Sequence, residues 1–507
     1  MLTPRFSLRQ DDDCLYATIH APFTNLSETE VFMADQDFRF FSKPYFLRLH
    51  LPHEVVEDDR ATAKYEADSR SFIVTAPKKN HGQFFPGLDM LTSLLTPQGN
   101  ESLRPTGGHH GAVSVGIEVL DAPGEEEETD IDWYFDQQIP ESEPKPASDC
   151  ESSLLIRREE FRYGFAFTEH GVFERLLSEY QELLDIKDPD HTNHMHRRAL
   201  RIAKENEDFS EDHYLADLYD SDQIQYYLQA ANPWQDLLQN ESDLEDWSLT
   251  DVERDKLIAL PKKEYLIEPD SLQSVYYGLI DILFAYCYDL RTTDGEHSSE
   301  SGWTLAKLSA TLSCCEKHVS LRSCIIVSLR RALLYPLYRH YELALRVFQD
   351  VVELLQVGKL AIVKTLVDIM PLMRESDGRY IFNQLYIEPY TVWIQTVHPA
   401  HVRSLSEALA KKLASVDKED LNLDLEEIEH VARLTLEDQA LHDMERVSNQ
   451  ISGINLQDQS ETSDDSSSES SPCSSTSEDS FASSEDEDQS TEEHDKEKPG
   501  DAPNQIS

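Results

Sequence analysis

Leu15-Tyr16-Ala17-Thr18-Ile19-His20 decides how the first hundred residues are read. Leu15, Ala17 and Ile19 fall on one face and Tyr16, Thr18 and His20 on the other, the period of two that a half-buried strand requires. Short runs of the same kind recur at Thr29 to Met33, Phe38 to Phe41, Tyr45 to Leu51 and Ser71 to Ala76. Acidic or Pro-containing connections such as Glu57-Asp58-Asp59 separate them. Roughly five to seven short strands in this length predict an antiparallel β-sandwich over residues 1–95.

Beyond it the alternation fails. Pro97, Gly99, Pro105, Gly107, Gly108 and Gly111, then Pro123, Gly124 and the run Glu125 to Glu128, predict a flexible acidic linker over residues 96–151. Within it Val113-Val115-Ile117-Val119 has the alternation of one further strand. Trp133, Tyr134 and Phe135, set among acids, read either as solvated linker or as a short docking motif.

From Arg162 the period changes to 3.6. In Glu169 to Leu184 the residues Val172, Phe173, Leu176, Leu177, Tyr180, Leu183 and Leu184 make one stripe, which predicts an amphipathic helix stopped before Pro189. Further helices are predicted at about Leu272 to Asp289, Leu305 to Cys314, Leu321 to Leu334, Pro336 to Gln356, Leu360 to Met373, Ser404 to Ala414 and Leu421 to Arg446. No fixed period recurs, so residues 152–451 are expected to form one irregular all-α domain and not a solenoid. Residues 452–507 are Ser, Asp and Glu with little aliphatic content, the composition of a disordered tail. Ser466, Ser475, Thr476, Ser483, Ser484 and Ser490 each have an acid three residues on, the context of acid-directed phosphorylation.

Charge narrows the function. The chain carries −52 over 507 residues, and the segments 121–151 and 452–507 hold 12 acids to 1 base and 16 acids to 2 bases. The predicted helical domain still keeps 53 acids against 31 bases, about −22, whereas residues 1–95 carry only about −4. Such a body is a poor direct ligand for nucleic acid, which is bound through Lys and Arg facing phosphate. A basic protein that itself binds nucleic acid is the matching partner. Asp212, Asp217, Asp220 and Asp222, interleaved with Tyr214, Tyr219, Tyr226 and Tyr227, combine charge with aromatic anchors and read as a partner interface; tyrosines packed inward with acids facing water is the plainer alternative. Arg331 and Arg339 are predicted to pair with internal carboxylates.

Other classes find no support. No phosphate-cradling Gly loop, H-E-x-x-H or nucleophile elbow occurs, so neither catalysis nor a cofactor is expected. The groups His109-His110 and His191, His194 and His196 lack the spacing of a metal site, and Cys314-Cys315 is expected to pack in a helix. Met1 to Gln10 has no secretory pattern, and no 18-residue apolar run occurs, so no membrane partner is expected. Seven scattered cysteines without C-x-x-C spacing predict a reducing compartment, cytosol or nucleus.

Met1-Leu2-Thr3-Pro4-Arg5-Phe6, Asp11-Asp12-Asp13, Ile19-His20-Ala21-Pro22, Lys43-Pro44-Tyr45-Phe46-Leu47-Arg48-Leu49, Val56-Glu57-Asp58-Asp59-Arg60 and Gly87-Leu88-Asp89-Met90-Leu91-Thr92, in this order, are similar to the CS domain of the Shq family of H/ACA ribonucleoprotein assembly factors. Tyr163-Gly164-Phe165, Gly171-Val172-Phe173, Asp185-Ile186-Lys187-Asp188-Pro189-Asp190, Asp212-His213-Tyr214-Leu215-Ala216-Asp217, Asn232-Pro233-Trp234, Arg330 to Arg339, Leu385-Tyr386-Ile387-Glu388 and Val392-Trp393-Ile394-Gln395 are similar to its helical domain. The resemblance implies a seven-stranded sandwich of the small-heat-shock type, and a non-catalytic chaperone that holds free dyskerin, the pseudouridine synthase, by imitating RNA. It further implies ATP-driven remodelling factors for release, a role in telomerase and other H/ACA particles, and residence in nucleoplasm and cytoplasm. Two other readings stay open: a CS-type co-chaperone of the ninety-kilodalton heat-shock chaperone, and a generic acidic chaperone of basic nuclear proteins.

Overall fold

The computed structural model describes residues 1–97 and 160–457, apart from 23, 25–28, 68, 179–181, 220 and 241–246. β1 (Arg5–Gln10) pairs antiparallel with β2 (Cys14–His20), Phe6 opposite Ile19 and Leu8 opposite Ala17. As the alternation predicts, β2 buries Leu15, Ala17 and Ile19. A hairpin of β3 (Glu30–Ser42) and β4 (Tyr45–Val55) follows, then β5 (Thr62–Glu66) and β6 (Ser71–Pro77). Among the described residues these make a four-stranded sheet, β1-β2-β6-β5, and the two-stranded sheet β3-β4. The sheets meet through apolar faces: the Phe40 ring of β3 lies 5.0 Å from that of Phe72 in β6.

Three strand expectations change. The runs expected at 29–33 and 38–41 fall in one strand, β3, which starts at Glu30, because the polar residues between them form a bulge: the register shifts between Asp35 and Asp37, and Asp35 has φ 52°. β5 lacks the apolar signature of a strand, since all five of its residues are exposed. The alternation at Val113 to Val119, and with it any seventh strand there, lies outside the described residues, as do Trp133, Tyr134 and Phe135.

The sandwich is fastened to the helices through α1 (Leu91–Leu95). The buried Thr92 N–H donates to Gln395 Oε1 at 3.0 Å, and Gln395 Nε2 donates back to Thr92 Oγ1 at 3.1 Å. Arg5 Nε donates to Asp255 Oδ1 at 2.7 Å. Residues 1–436 accordingly form one compact unit.

Twelve of the helices suffice to describe the body: α2 (His194–Asp208), α3 (Glu211–Tyr219), α4 (Ser221–Gln229), α5 (Pro233–Gln239), α6 (Asp251–Ala259) and α7 (Pro269–Thr292), then α8 (Leu321–Ala332), α9 (Tyr341–Val357), α10 (Lys359–Glu375), α11 (Glu388–Thr396), α12 (Pro399–Leu413) and α13 (Leu425–Gln457). α7 is the central one. Every residue from Ser274 to Asp289 is buried, as in a helix surrounded by others. Gly278 is needed there, since a Cβ would lie 2.6 Å from the Tyr390 hydroxyl, which donates to the Val275 carbonyl.

Asp281, on the same helix, is fully buried. Its Oδ2 accepts from Ser309 Oγ at 2.6 Å and the Thr311 N–H at 2.8 Å, and Oδ1 accepts from Ser328 Oγ at 3.1 Å. Burial alone would raise its pKa, but the adjoining His318 and these donors bring it down to about 2. The same contact interrupts the helix expected over 305–314: Ser309 caps a new turn at Ala310–Ser313.

A buried ionic cluster organises the other side. α2 is absent from the sequence reading because the residues it buries are Arg197, Arg201 and Glu205. Glu205 accepts from Arg201 at 2.7 Å, Arg330 at 2.9 Å and Arg331 at 3.3 Å. Arg331 also donates to Asp185 at 2.6 Å, as the sequence predicts for this arginine. Burial would raise the Glu205 pKa, and the three guanidiniums hold it below the ordinary carboxylate value.

Two helix expectations are corrected nearby. Among the described residues, the helix expected over 169–184 is the single turn Phe173–Leu176; the Tyr163 hydroxyl, which donates to Asp190, accepts from the N–H of Val172 and of Phe173 at its start. Phe173, Leu183 and Leu184 are still buried, as separate side chains. The helix expected from Pro336 starts at Tyr341, since the Arg339 N–H donates to Asp217 and His340 caps the helix.

Arg331→Met is expected to lower the unfolding free energy by about 3–5 kcal/mol, because it strands buried carboxylates without their partner; urea unfolding would show it. His297 supplies a pH test. Its Nδ1 lies 2.7 Å from Asp289 Oδ2 and its Nε2 3.1 Å from Asp368 Oδ2. Burial lowers its pKa, but the two carboxylates outweigh this and raise it from 6.5 to about 9. The folded pKa exceeds the unfolded one, so the stabilisation is complete below pH 6.5 and lost as pH rises through about 9. It amounts to about 3 kcal/mol at most. The thermal midpoint should fall across that window, and the fall should shrink in His297→Gln.

Candidate partner-binding surface

The eight residues singled out on α3 and α4 divide by helical period into an inner and an outer set. Tyr214, the fourth residue of α3, is fully buried, and its hydroxyl donates to Glu429 of α13. Asp217, one turn on, accepts from the Arg339 N–H at 2.8 Å and from its guanidinium at 3.4 Å. On α4 the buried Tyr227 ring stacks 5.0 Å from Tyr338, and the Tyr227 and Ala230 carbonyls accept from Arg291, itself paired with Asp350 at 2.6 Å. Tyr214, Asp217 and Tyr227 therefore anchor the helical pair from within.

Asp212, Tyr219, Asp222 and Tyr226 face solvent. Tyr219 is 50% and Tyr226 54% exposed, which leaves two rings for contact beside two carboxylates. The Tyr226 hydroxyl donates to Asp294 at 3.1 Å. Asp220 lies outside the described residues, as do Ser466, Ser475, Thr476, Ser483, Ser484 and Ser490. One residue the sequence reading missed is Leu337, 72% exposed in the segment whose next residues, Tyr338 and Arg339, touch α4 and α3. Its signal was Pro336, which there precedes a loop and not a helix. α13 also exposes Val431, Leu434 and Leu436.

The electrostatics follow from what is buried. Among the described helical residues the interior holds five arginines, Arg197, Arg201, Arg291, Arg330 and Arg331, against six acids, Asp190, Glu205, Asp281, Asp289, Glu316 and Asp350. That interior is close to neutral. Among the described helical residues the excess of acids over bases is consequently carried outside it.

Among the described residues no group of three or more His, Cys, Asp or Glu is placed to hold a metal ion. Cys314 and Cys315 are buried and unpaired, and burial raises their thiols to about 12 and about 11. No helix of the described residues is long and apolar enough to cross a membrane.

Residues 3–95 match the family described as SHQ1-like, CS domain, and residues 238–425 match SHQ1 protein, Shq1 domain. A "Protein SHQ1 homolog" of Mus musculus is 39% identical over 450 residues, covering 87% of this chain and 76% of that protein. "Protein shq1" of Schizosaccharomyces pombe is 33% identical over 451 residues, covering 85% and 96%. The chain belongs to the SHQ1 family. The CS domain followed by a helical domain, inferred from sequence and present in the structure, is the SHQ1 arrangement, and membership supports the general role of an assembly factor. A SHQ1 homolog of Caenorhabditis elegans, 34% identical, is covered over 97% of its length, so the likeness takes in both domains.

The inner and outer sets should separate in stability. Tyr214→Phe and Asp217→Ala are each expected to cost about 1–2 kcal/mol by removing a bond to a buried or half-buried partner. Asp212→Asn and Tyr219→Ala should stay within about 0.5 kcal/mol of the parent in the same denaturation.

Proposed function

We propose that this SHQ1-family protein is a chaperone without catalytic activity that holds a free dyskerin-type pseudouridine synthase. Its acidic helical body stands in for RNA on the synthase's basic face until an H/ACA particle, telomerase among them, is assembled. The observation that carries this reading is the near-neutral interior, which leaves the acid excess of the described helical residues facing outward. Carboxylates so displayed attract Lys and Arg clusters over a distance and repel nucleic acid itself. Asp212, Asp222, Tyr219 and Tyr226, with Asp220 beside them in sequence and Leu337 nearby, supply the contact: acids for steering and rings for the desolvated centre.

The unpaired buried cysteines support residence in a reducing compartment, nucleoplasm and cytoplasm. The acidic tail adds diffuse attraction, strengthened by phosphate at its six serine and threonine positions. A close mimic dissociates slowly, so release calls for ATP-driven remodelling factors.

The test is competition. The purified chain should bind dyskerin with an affinity that falls as salt rises, and guide RNA should displace it. Tyr226→Ala combined with Leu337→Ala should weaken binding about tenfold or more, chiefly through faster dissociation, with the thermal midpoint unchanged. Formation of a ternary complex of chain, dyskerin and guide RNA without mutual weakening would remove the mimicry, and histones bound as tightly as dyskerin would favour the generic acidic chaperone.

A further inference from the structure

α13 offers a surface that the contact proposed on α3 and α4 does not use. Its first turns are anchored: Leu425 is buried, and Glu429 accepts from the Tyr214 hydroxyl and from Lys418 Nζ at 2.6 Å. The 15 residues from Arg433 to Val447 are all exposed, and from Glu437 onward the helix falls outside the compact unit of residues 1–436. A helix of about 12–15 residues without packing is marginal in water. Yet this stretch carries large apolar side chains: Leu436 is 46%, Leu441 61%, Met444 71% and Val447 53% exposed. At about 100° per residue these four and Ala440 fall within an arc of roughly 140°, which makes one stripe. Apolar residues exposed singly are ordinary, whereas a contiguous stripe marks a place of contact.

The charges are arranged around that stripe. Residues 436–447 hold four acids and one base. By helical period Asp443 borders the stripe on one side, Asp438 and Glu445 border it on the other, and Glu437 stands within it at its first turn. Gln439, His442 and Arg446 occupy the back of the helix. Arg446 reaches Asp443 at 3.3 Å, an exposed pair of little weight. An apolar stripe between acidic margins selects what can cover it. A second copy of the chain would set Asp438 and Glu445 against the same acids, the like-charge arrangement that paired helices avoid. A lipid surface favours basic margins, and a polynucleotide is repelled. A convex helix packs along another helix, ridge into groove, and these margins call for Lys and Arg beside that helix's own apolar stripe.

We propose that residues 436–447 of α13 are a docking face for a basic amphipathic helix of another protein, with Leu436, Leu441, Met444 and Val447 packed on its apolar side chains and Asp438, Asp443 and Glu445 facing its flanking Lys and Arg. The acids speed encounter and set register, and the stripe sets how long the pair lasts. The partner helix supplies the packing that this length of α13 lacks. The docking face is independent of the dyskerin reading, uses none of the residues assigned to it, and either can fail alone.

The test uses the full chain and two fluorescent peptides of leucine and lysine, each about five helical turns long. One has leucine at the a and d positions of successive heptads; the other is an isomer of the same composition with no helical period. The patterned peptide should bind the parent about tenfold or more tightly than the isomer does, chiefly through slower dissociation. The triple variant Leu441→Ala, Met444→Ala, Val447→Ala keeps every charge and a high helix propensity. It should lose that preference while binding the isomer as the parent does. Asp438→Asn combined with Glu445→Gln should weaken the patterned peptide and make its binding less sensitive to salt. Chain carrying Met444→p-benzoylphenylalanine should crosslink to the patterned peptide on irradiation. Equal affinity of parent and triple variant for the patterned peptide, no preference of the parent for it over the isomer, or crosslinks that join two copies of the chain in place of the peptide would each overturn the proposal.

Discussion

Glu205 is the point on which the helical body depends. Three arginines from two helices converge on its carboxylate, Arg201 of α2 and Arg330 and Arg331 of α8. Through them it reaches further: Arg201 to Glu316, Arg331 to Asp185 and the Lys307 carbonyl, Arg330 to Asn206 and the Leu421 carbonyl. Hydrophobic burial drives collapse but has no direction. Charge-assisted hydrogen bonds have both direction and a high penalty when broken, so a single acid sets the mutual register of segments more than 200 residues apart. Replacing such a cluster wholesale with apolar residues is often neutral, whereas removing one member is costly, so the cluster acts more to specify the arrangement than to stabilise it.

The same arrangement links fold to charge. Arginines placed inside to satisfy Glu205, Asp185, Glu316 and Asp350 are unavailable to neutralise the exterior. A body with 53 acids and 31 bases could have scattered its ion pairs over the surface. Here several of its strongest cations are internal, and the outward field belongs to the acids. Stability and the attraction proposed for a basic partner thus draw on one distribution of side chains.

Much of this was legible in the sequence, and the failures have a common cause. β2, β4 and β6 announced themselves by apolar alternation, and α7, α8 and α10 by apolar density. α2 did not, because its inward face is Arg197, Arg201 and Glu205, which reads as a solvated face. Conversely, the apolar stripe of residues 169–184 looked helical, but among the described residues it makes only the turn Phe173–Leu176, whose start is tied to Tyr163 and Asp190, distant from its centre in sequence. On α3 and α4 composition alone could not sort inner from outer residues: Tyr214 and Tyr227 are anchors while Tyr219 and Tyr226 are exposed, a division decided by partners on α13 and beside Tyr338. Tertiary polar contacts are what the local pattern leaves out.

The reciprocal pair between Thr92 and Gln395 has a consequence for inheritance of the two domains. It consumes a backbone donor and both functional atoms of an amide in a buried seam, beside Leu91, Leu94 and Leu95. Cutting the chain after the sandwich would bare this greasy seam on both fragments and leave Gln395 Oε1 without its donor. A residue chosen for one side of the seam is therefore tied to its counterpart on the other.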